Sequence, residues 1–226
     1  MCAFQPELTS GLFYDSLVSI AQRFPLRTVL EIGSARGDGS TTALIKGLAN
    51  NTNDPKLFAI EAFPPSYELL AKRYAGNTLV HPYNVASVNI KEYPREEDII
   101  EFYQKQPTNL NIGEININNW PLELVLAWFR NEIQFLESSA VPQDGISLIK
   151  CEHNIEYFDM VLIDGSEFAG SAELCKIYGA RIIALDDINT YKNAYSHRFL
   201  LKDKHYEPVI IDRLSRNGFS IFIRTS

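Results

Sequence analysis

A glycine-rich turn that follows a short apolar run constrains this chain more than any other feature. Residues 29–32 are apolar apart from Glu31, and Gly33, Gly37 and Gly39 then precede a stretch of helix-forming residues. A strand that ends in glycines and opens a helix exposes bare backbone and unpaired N–H groups, against which a ligand can lie. The pattern therefore predicts a cofactor-binding turn, with an ordinary strand-to-helix turn as the alternative.

The spacing of the glycines indicates which cofactor fits. A dinucleotide fingerprint reads G-x-G-x-x-G, and its second and third glycines fall here on Ala35 and Asp38. The observed pattern is instead Glu31-x-Gly33-x-x-x-Gly37-x-Gly39. It resembles the first motif of class I S-adenosylmethionine (SAM) methyltransferases, with Ala35 replacing the middle glycine.

That resemblance implies that the turn binds SAM. The residues it assigns to the cofactor are Glu31, Gly33, Ser34, Ala35, Arg36, Gly37, Gly39 and Ser40.

Composition limits the partners that the chain can have. It has 226 residues and a formal net charge of −7, which argues against nucleic acid or an anionic membrane as the main partner. We expect a small-molecule substrate. The first residues lack a signal-peptide pattern and no long uncharged apolar stretch occurs, which predicts a cytoplasmic protein. Cys2, Cys151 and Cys175 have no metal-binding spacing and are expected to be reduced thiols.

Apolar runs alternate with helical patterns along most of the chain. Strands are predicted at 28–32, 56–62, 78–83, 158–163 and 180–185, and a hairpin at 206–212 and 219–223. This order predicts an α/β fold: a Rossmann-like, doubly wound, mostly parallel seven-stranded sheet with helices on both faces and an antiparallel C-terminal hairpin. Residues 1–226 would form a single domain.

A helical insertion interrupts this alternation at about 88–157. It contains a charged helix at 96–103, an Asn-rich segment at 109–119 and a helix at 121–136 whose apolar residues cover a wide arc. Such a helix caps the active site, forms a contact between subunits of a homo-oligomer, or packs on the sheet, and the pattern leaves these alternatives open.

Polar residues stand where the predicted strands end, and ligands of open α/β sheets lie beyond these ends. Glu61 follows the second strand, where a carboxylate accepts hydrogen bonds from ribose hydroxyls. The methyltransferase resemblance adds Ala62 beside it, places Asn84 and Ala86 around the adenine, and assigns Asp164 to the cofactor site as well.

Asp164 ends the fourth strand, and Asp186 and Asp187 end the fifth, so the three carboxylates are expected to share a small volume. A cation would relieve their repulsion, and oxygen ligands favour Mg²⁺, Ca²⁺ or Mn²⁺ over zinc. The arrangement resembles the metal site of catechol-type and macrocin-type O-methyltransferases, in which the metal polarises a substrate hydroxyl. In the alternative interpretation, Asp187 caps the following turn and Asp164 only accepts hydrogen bonds.

The catalytic residues are predicted by position, as Asp164, Glu167 and Lys192, with His197 as a further candidate base. Glu167 stands where catechol-type enzymes carry a lysine, so the resemblance ends at this residue. The expected function is SAM-dependent methyl transfer to a hydroxyl of a small metabolite or sugar-containing product. The alternatives are a nicotinamide-dependent oxidoreductase and a non-catalytic SAM-binding or interaction module.

Overall fold

A seven-stranded sheet forms the centre of the computed structural model, which describes residues 8–105, 111–112, 115–116 and 120–225. Its strands are β1 (Thr28–Ile32), β2 (Lys56–Ile60), β3 (Val80–Tyr83), β6 (Met160–Ile163), β7 (Ile182–Leu185), β8 (Tyr206–Asp212) and β9 (Phe219–Arg224). The short strands β4 (Asn111–Ile112) and β5 (Ile115–Asn116) pair separately.

The strand order is β3-β2-β1-β6-β7-β9-β8. The pairs from β3 to β7 are parallel, and β9 runs antiparallel to both β7 and β8. This topology confirms the predicted mostly parallel sheet with a C-terminal hairpin. It also places the ends of β1 and β6 side by side.

Helices cover both faces of the sheet, as predicted. They are α1 (Leu12–Arg23), α2 (Ser40–Leu48), α3 (Pro64–Arg73), α4 (Glu96–Lys105), α5 (Leu122–Ser138), α6 (Gly145–His153), α7 (Gly170–Ile177) and α8 (Tyr191–Lys202). One face packs on α1, α2 and α3, and the other on α6, α7 and α8. The helices contribute Leu17, Leu44 and Leu70 to the first face and Ile149, Leu174 and Leu200 to the second.

The central parallel strands are largely apolar because both of their faces are buried, and Glu31 of β1 is the charged exception. In β1, Val29 packs in the core under α1 and α2, whereas Leu30 packs in the opposite core. Neither side chain is exposed to solvent. The continuous apolar runs in the sequence therefore correspond to the central strands.

The segment at 88–157 packs in part outside the sheet. Its helices α4 and α5 bury Phe102, Val125 and Phe129 against Phe168 and Tyr191, in a third core that lies apart from the sheet. Among the described residues this core contains none from the strands of the sheet, and a cap over the site stays a prediction. Most of the Asn-rich segment lies outside the described residues, as do residues 1–7 with Cys2. A contact between subunits through this segment stays a prediction.

Two helices were not expected from the sequence. Within the segment at 88–157, α6 packs Ile146 and Ile149 into the core of the sheet, as the crossover helix from β3 to β6. After β7, α8 places Lys192 at the strand ends.

Cys151 and Cys175 are free thiols on the surface. Among the described residues, every helix is too short or too polar to cross a lipid bilayer.

The two buried cores predict a contrast between two leucines. L30A removes a fully buried side chain from the central strand and should lower the free energy of unfolding by about 2–5 kcal/mol. L12A, at a position that is 56% exposed, should change it by less than about 0.5 kcal/mol. Urea denaturation of both variants measures the difference, and equal losses would contradict the assignment of the core.

Candidate active site

The glycine-rich turn brings β1 against the end of β6. Gly33 has a φ of +86°, and a Cβ there would lie 2.3 Å from the carbonyl oxygen of Asp164 and 2.6 Å from the Cα of Gly165. The N–H groups of Gly33 and Ser34 both donate to the carbonyl of Ile60, at 3.0 and 2.9 Å. Glycine at this position is therefore required for the strand ends to meet.

Glu31 lies beneath the turn, fully buried. It accepts hydrogen bonds from Ser40 Oγ at 2.6 Å and Thr41 Oγ1 at 2.7 Å, so the strand is joined to the first turn of α2. Burial raises the pKa of Glu31 to about 7, although these hydroxyls oppose the rise. The side chain thus holds the turn in place from behind.

Helix α3 supports the far side of the turn. Tyr74 donates its hydroxyl to the carbonyl of Gly37 at 2.5 Å, and Arg73 Nε donates to the carbonyl of Arg36 at 3.1 Å. Arg73 also pairs with Asp38 at 3.2 Å. Ala35, which replaces the middle glycine of the motif, adopts a left-handed φ of 46°, where glycine is the preferred residue.

A cavity of about 370 Å³ opens where these elements meet. Predicted cofactor residues that line it are Gly33, Ala35, Glu61, Ala62, Ala86 and Asp164. The other predicted cofactor residues do not line this cavity, namely Glu31, Ser34, Arg36, Gly37, Gly39, Ser40 and Asn84.

The loop after β2 is shaped by two of the predicted residues. Asn84 Nδ2 donates to the carbonyls of Glu61 and Ala62, at 2.9 and 3.1 Å, and so braces this loop from behind. The N–H of Phe63 donates to Glu61 Oε1 at 2.7 Å. This bond fixes the carboxylate at the cavity wall.

Four cavity residues from the segment at 88–157 were missed by the sequence reasoning, namely Tyr93, Glu132, Phe135 and Leu136. Tyr93 donates its hydroxyl to Glu132 Oε1 at 2.8 Å, and burial raises the pKa of Glu132. The ring of Phe135 meets Phe63 edge-on, with centroids 6.1 Å apart. An acid on an amphipathic helix usually indicates a solvent-exposed face, so its role was not visible in the pattern.

The three aspartates come together as predicted. Asp164, Asp186 and Asp187 each have a carboxylate oxygen within 4.8 Å of the others. Lys192 Nζ lies among them, 2.6 Å from Asp187 Oδ2 and 3.1 Å from Asp164 Oδ1. Arg216 pairs with Asp186 at 3.2 Å.

These contacts decide how well the aspartates fit Mg²⁺. A predicted metal ion would neutralise the acids, whereas in the structure Lys192 and Arg216 pair with them. Burial, Asp187 and Asp164 raise the pKa of Asp186 well above its usual range, and Arg216 opposes the rise. The residues as they stand do not fit a divalent cation.

The other candidate bases differ in their surroundings. Burial and nearby Asp187 raise the pKa of Glu167 to about 7, and Tyr103 donates to its Oε1 at 3.3 Å. The surrounding carboxylates outweigh burial and raise the pKa of Lys192 well above its usual range, which favours its charged form. His197 contacts Ser220 at 3.0 Å and Arg213 at 3.3 Å, and burial lowers its pKa to about 4.

Solved structures with a similar fold carry SAM or S-adenosylhomocysteine (SAH). SAH-bound methyltransferase PaMTH1 of Podospora anserina aligns with a TM-score of 0.55 at 11% identity, over 97% of this chain and 80% of that one. The SAM complex of TomG from Streptomyces achromogenes, an O-methyltransferase involved in tomaymycin synthesis, gives 0.54 at 16%, over 98% and 83%. An SAH-bound O-methyltransferase of Bacillus cereus gives 0.55 at 13%, over 98% and 84%.

No protein-family profile and no curated protein matches the sequence. At these low identities, the similarity to the solved structures establishes the fold. The chain therefore shares the Rossmann-like fold of these solved methyltransferases, as expected from the motif around Gly33.

The burial of Glu31 predicts a dependence of stability on pH. Its pKa rises from 4.5 to about 7 on folding, so the folded state binds the proton more tightly. The resulting stability is complete below 4.5 and is lost as the pH rises through about 7. E31Q should remove this part of the slope, up to about 3 kcal/mol.

Urea denaturation across this pH range compares wild type with E31Q. Glu167 and Glu173, whose pKa values burial also raises to about 7, keep their part of the slope in both proteins. E123Q, at an exposed position of α5, controls for the chemical change. Parallel pH profiles for wild type and E31Q would show that Glu31 does not titrate as described.

Proposed function

We propose that this protein is a SAM-dependent methyltransferase that acts on a hydroxyl of a small metabolite or sugar-containing product. The observation that carries the proposal is the cavity between the glycine turn, Glu61 and Asp164, on a fold shared with SAM-bound and SAH-bound enzymes. The O-methyltransferases among these neighbours support oxygen as the methyl acceptor.

The chemistry of the cavity suits a cofactor that carries positive charge. When bound, SAM supplies an electrophilic methyl group on a sulfonium ion. Three carboxyl groups line the cavity, from Glu61, Glu132 and Asp164, and carboxylates there attract a cation in a partly desolvated space. Glu61 would accept the ribose hydroxyls, and Ala62 and Ala86 would flank the adenine.

The carboxyl groups at the wall can also take up a proton. Methyl transfer from bound SAM to a hydroxyl would release the hydroxyl proton, which a base beside the cavity would take up. Glu132 lines the cavity, and burial raises its pKa, which suits a group that takes up the proton of an acceptor hydroxyl. Glu167, predicted from the sequence, has a pKa that burial raises to about 7 and follows Ser166 of the cavity wall in the chain.

Titration calorimetry with SAM and SAH tests the proposal directly. We expect both to bind at one site, and absence of heat from both would overturn it. NADH serves as the comparison because a nicotinamide enzyme would bind it instead. Release of SAH in the presence of a panel of hydroxylated acceptors then separates a methyltransferase from a module that binds SAM without turnover.

A variant at the ribose position tests the orientation of the cofactor. E61A removes a charged acceptor, so SAM should bind roughly 10–100-fold more weakly. E68A, an exposed glutamate of α3, is the matched control and should bind SAM as wild type does. Equal affinities of E61A and wild type, measured by calorimetry, would show that Glu61 does not meet the ribose.

A further inference from the structure

Lys192 occupies the middle of the aspartate cluster. Its Nζ lies 2.6 Å from Asp187 Oδ2 and 3.1 Å from Asp164 Oδ1, and its side chain is only 9% exposed. These two aspartates follow different strands, so the ammonium joins the ends of β6 and β7. A divalent cation bound by the same oxygens would need the space that Nζ fills.

Charge gives a second reason why the ammonium and a metal ion exclude each other. Two cations that share the same carboxylate oxygens would repel each other strongly in this buried position. The third aspartate is engaged as well, because Arg216 pairs with Asp186 at 3.2 Å. A lysine ammonium is a compact point charge, and in this respect it can stand in for a small metal ion.

The backbone around Lys192 is fixed independently of its side chain. Thr190 caps α8 by accepting from the N–H of Lys192 at 3.3 Å, and Asn193 Nδ2 donates to the carbonyls of Ile163 and Asp186. Gly170 approaches so closely that a Cβ there would lie 1.9 Å from the Lys192 carbonyl oxygen. The start of α8 is therefore anchored to the ends of both strands.

We propose that Lys192 replaces the divalent cation of metal-dependent O-methyltransferases, as a built-in cation beside the cavity. This chain then needs no metal ion at the aspartate cluster, and removal of the lysine side chain uncovers a latent metal site. Asp186 Oδ1, which has no hydrogen-bond partner among the described residues, would supply one of its ligands. The role of this cation in methyl transfer rests on the proposed function, whereas the occupation of the aspartate cluster by Lys192 does not.

Mn²⁺ titrations monitored by electron paramagnetic resonance test the proposal without an acceptor substrate. Wild type should show no Mn²⁺ site at the cluster. K192A should bind one Mn²⁺ there, with an affinity at least roughly tenfold higher than any Mn²⁺ binding by wild type. K176A is the matched control, because Lys176 also pairs with two acids, Asp144 at 2.9 Å and Glu92 at 3.2 Å. It should bind Mn²⁺ no better than wild type.

Two results would overturn the proposal. One is a Mn²⁺ site in wild type that is lost in D186N. The other is a folded K192A, shown by its circular dichroism, that binds Mn²⁺ no better than wild type. If K192A does not fold, the wild-type titration still decides the first point. SAH calorimetry on the same samples reports on the proposed function separately, since SAH can bind whether or not the cluster holds a metal ion.

Discussion

The close contact between the ends of β1 and β6 is the constraint on which the site depends. Because Gly33 has no Cβ, its backbone lies directly against Asp164 and Gly165. The glycine turn and the first aspartate of the cluster therefore share one cavity wall. A side chain at this position would force the two strand ends apart and would separate the two halves of the site.

Acidic side chains surround the cavity, and neighbouring hydroxyl groups donate hydrogen bonds to their carboxyl oxygens. Glu173 lies fully buried behind Ser87, whose hydroxyl donates to it at 2.5 Å, and Glu132 accepts from Tyr93. Such groups are costly to ionise away from water. A positively charged ligand reduces that cost, so its binding would also stabilise the folded state.

Sequence reasoning recovers the parts of the molecule in which one local pattern determines the structure. The apolar runs indicate the central strands because both of their faces are buried, and the turn at Gly33 is visible from its composition. The position of Glu61 follows from the strand it ends. For each of these features, a short stretch of chain carries the whole signal.

The remaining site residues come from contacts between distant parts of the chain. Glu132 meets Tyr93 only because α5 folds back over the strand ends, and Lys192 meets Asp164 only because α8 starts at the same edge. The aspartates were anticipated, and Lys192 was predicted from its position as a catalytic residue, but not as the cation that pairs with them. The negative charge of the aspartates suggested a metal ion instead.

The separate core formed by α4 and α5 makes the chain modular. Its buried residues differ from those of the two sheet cores, and Tyr93 packs against both this core and the sheet. The cavity wall is correspondingly made of two parts, one from the strand ends around Gly33 and Asp164 and one from Phe135 and Leu136 of α5. The second part can change its side chains without touching the contact between the strands.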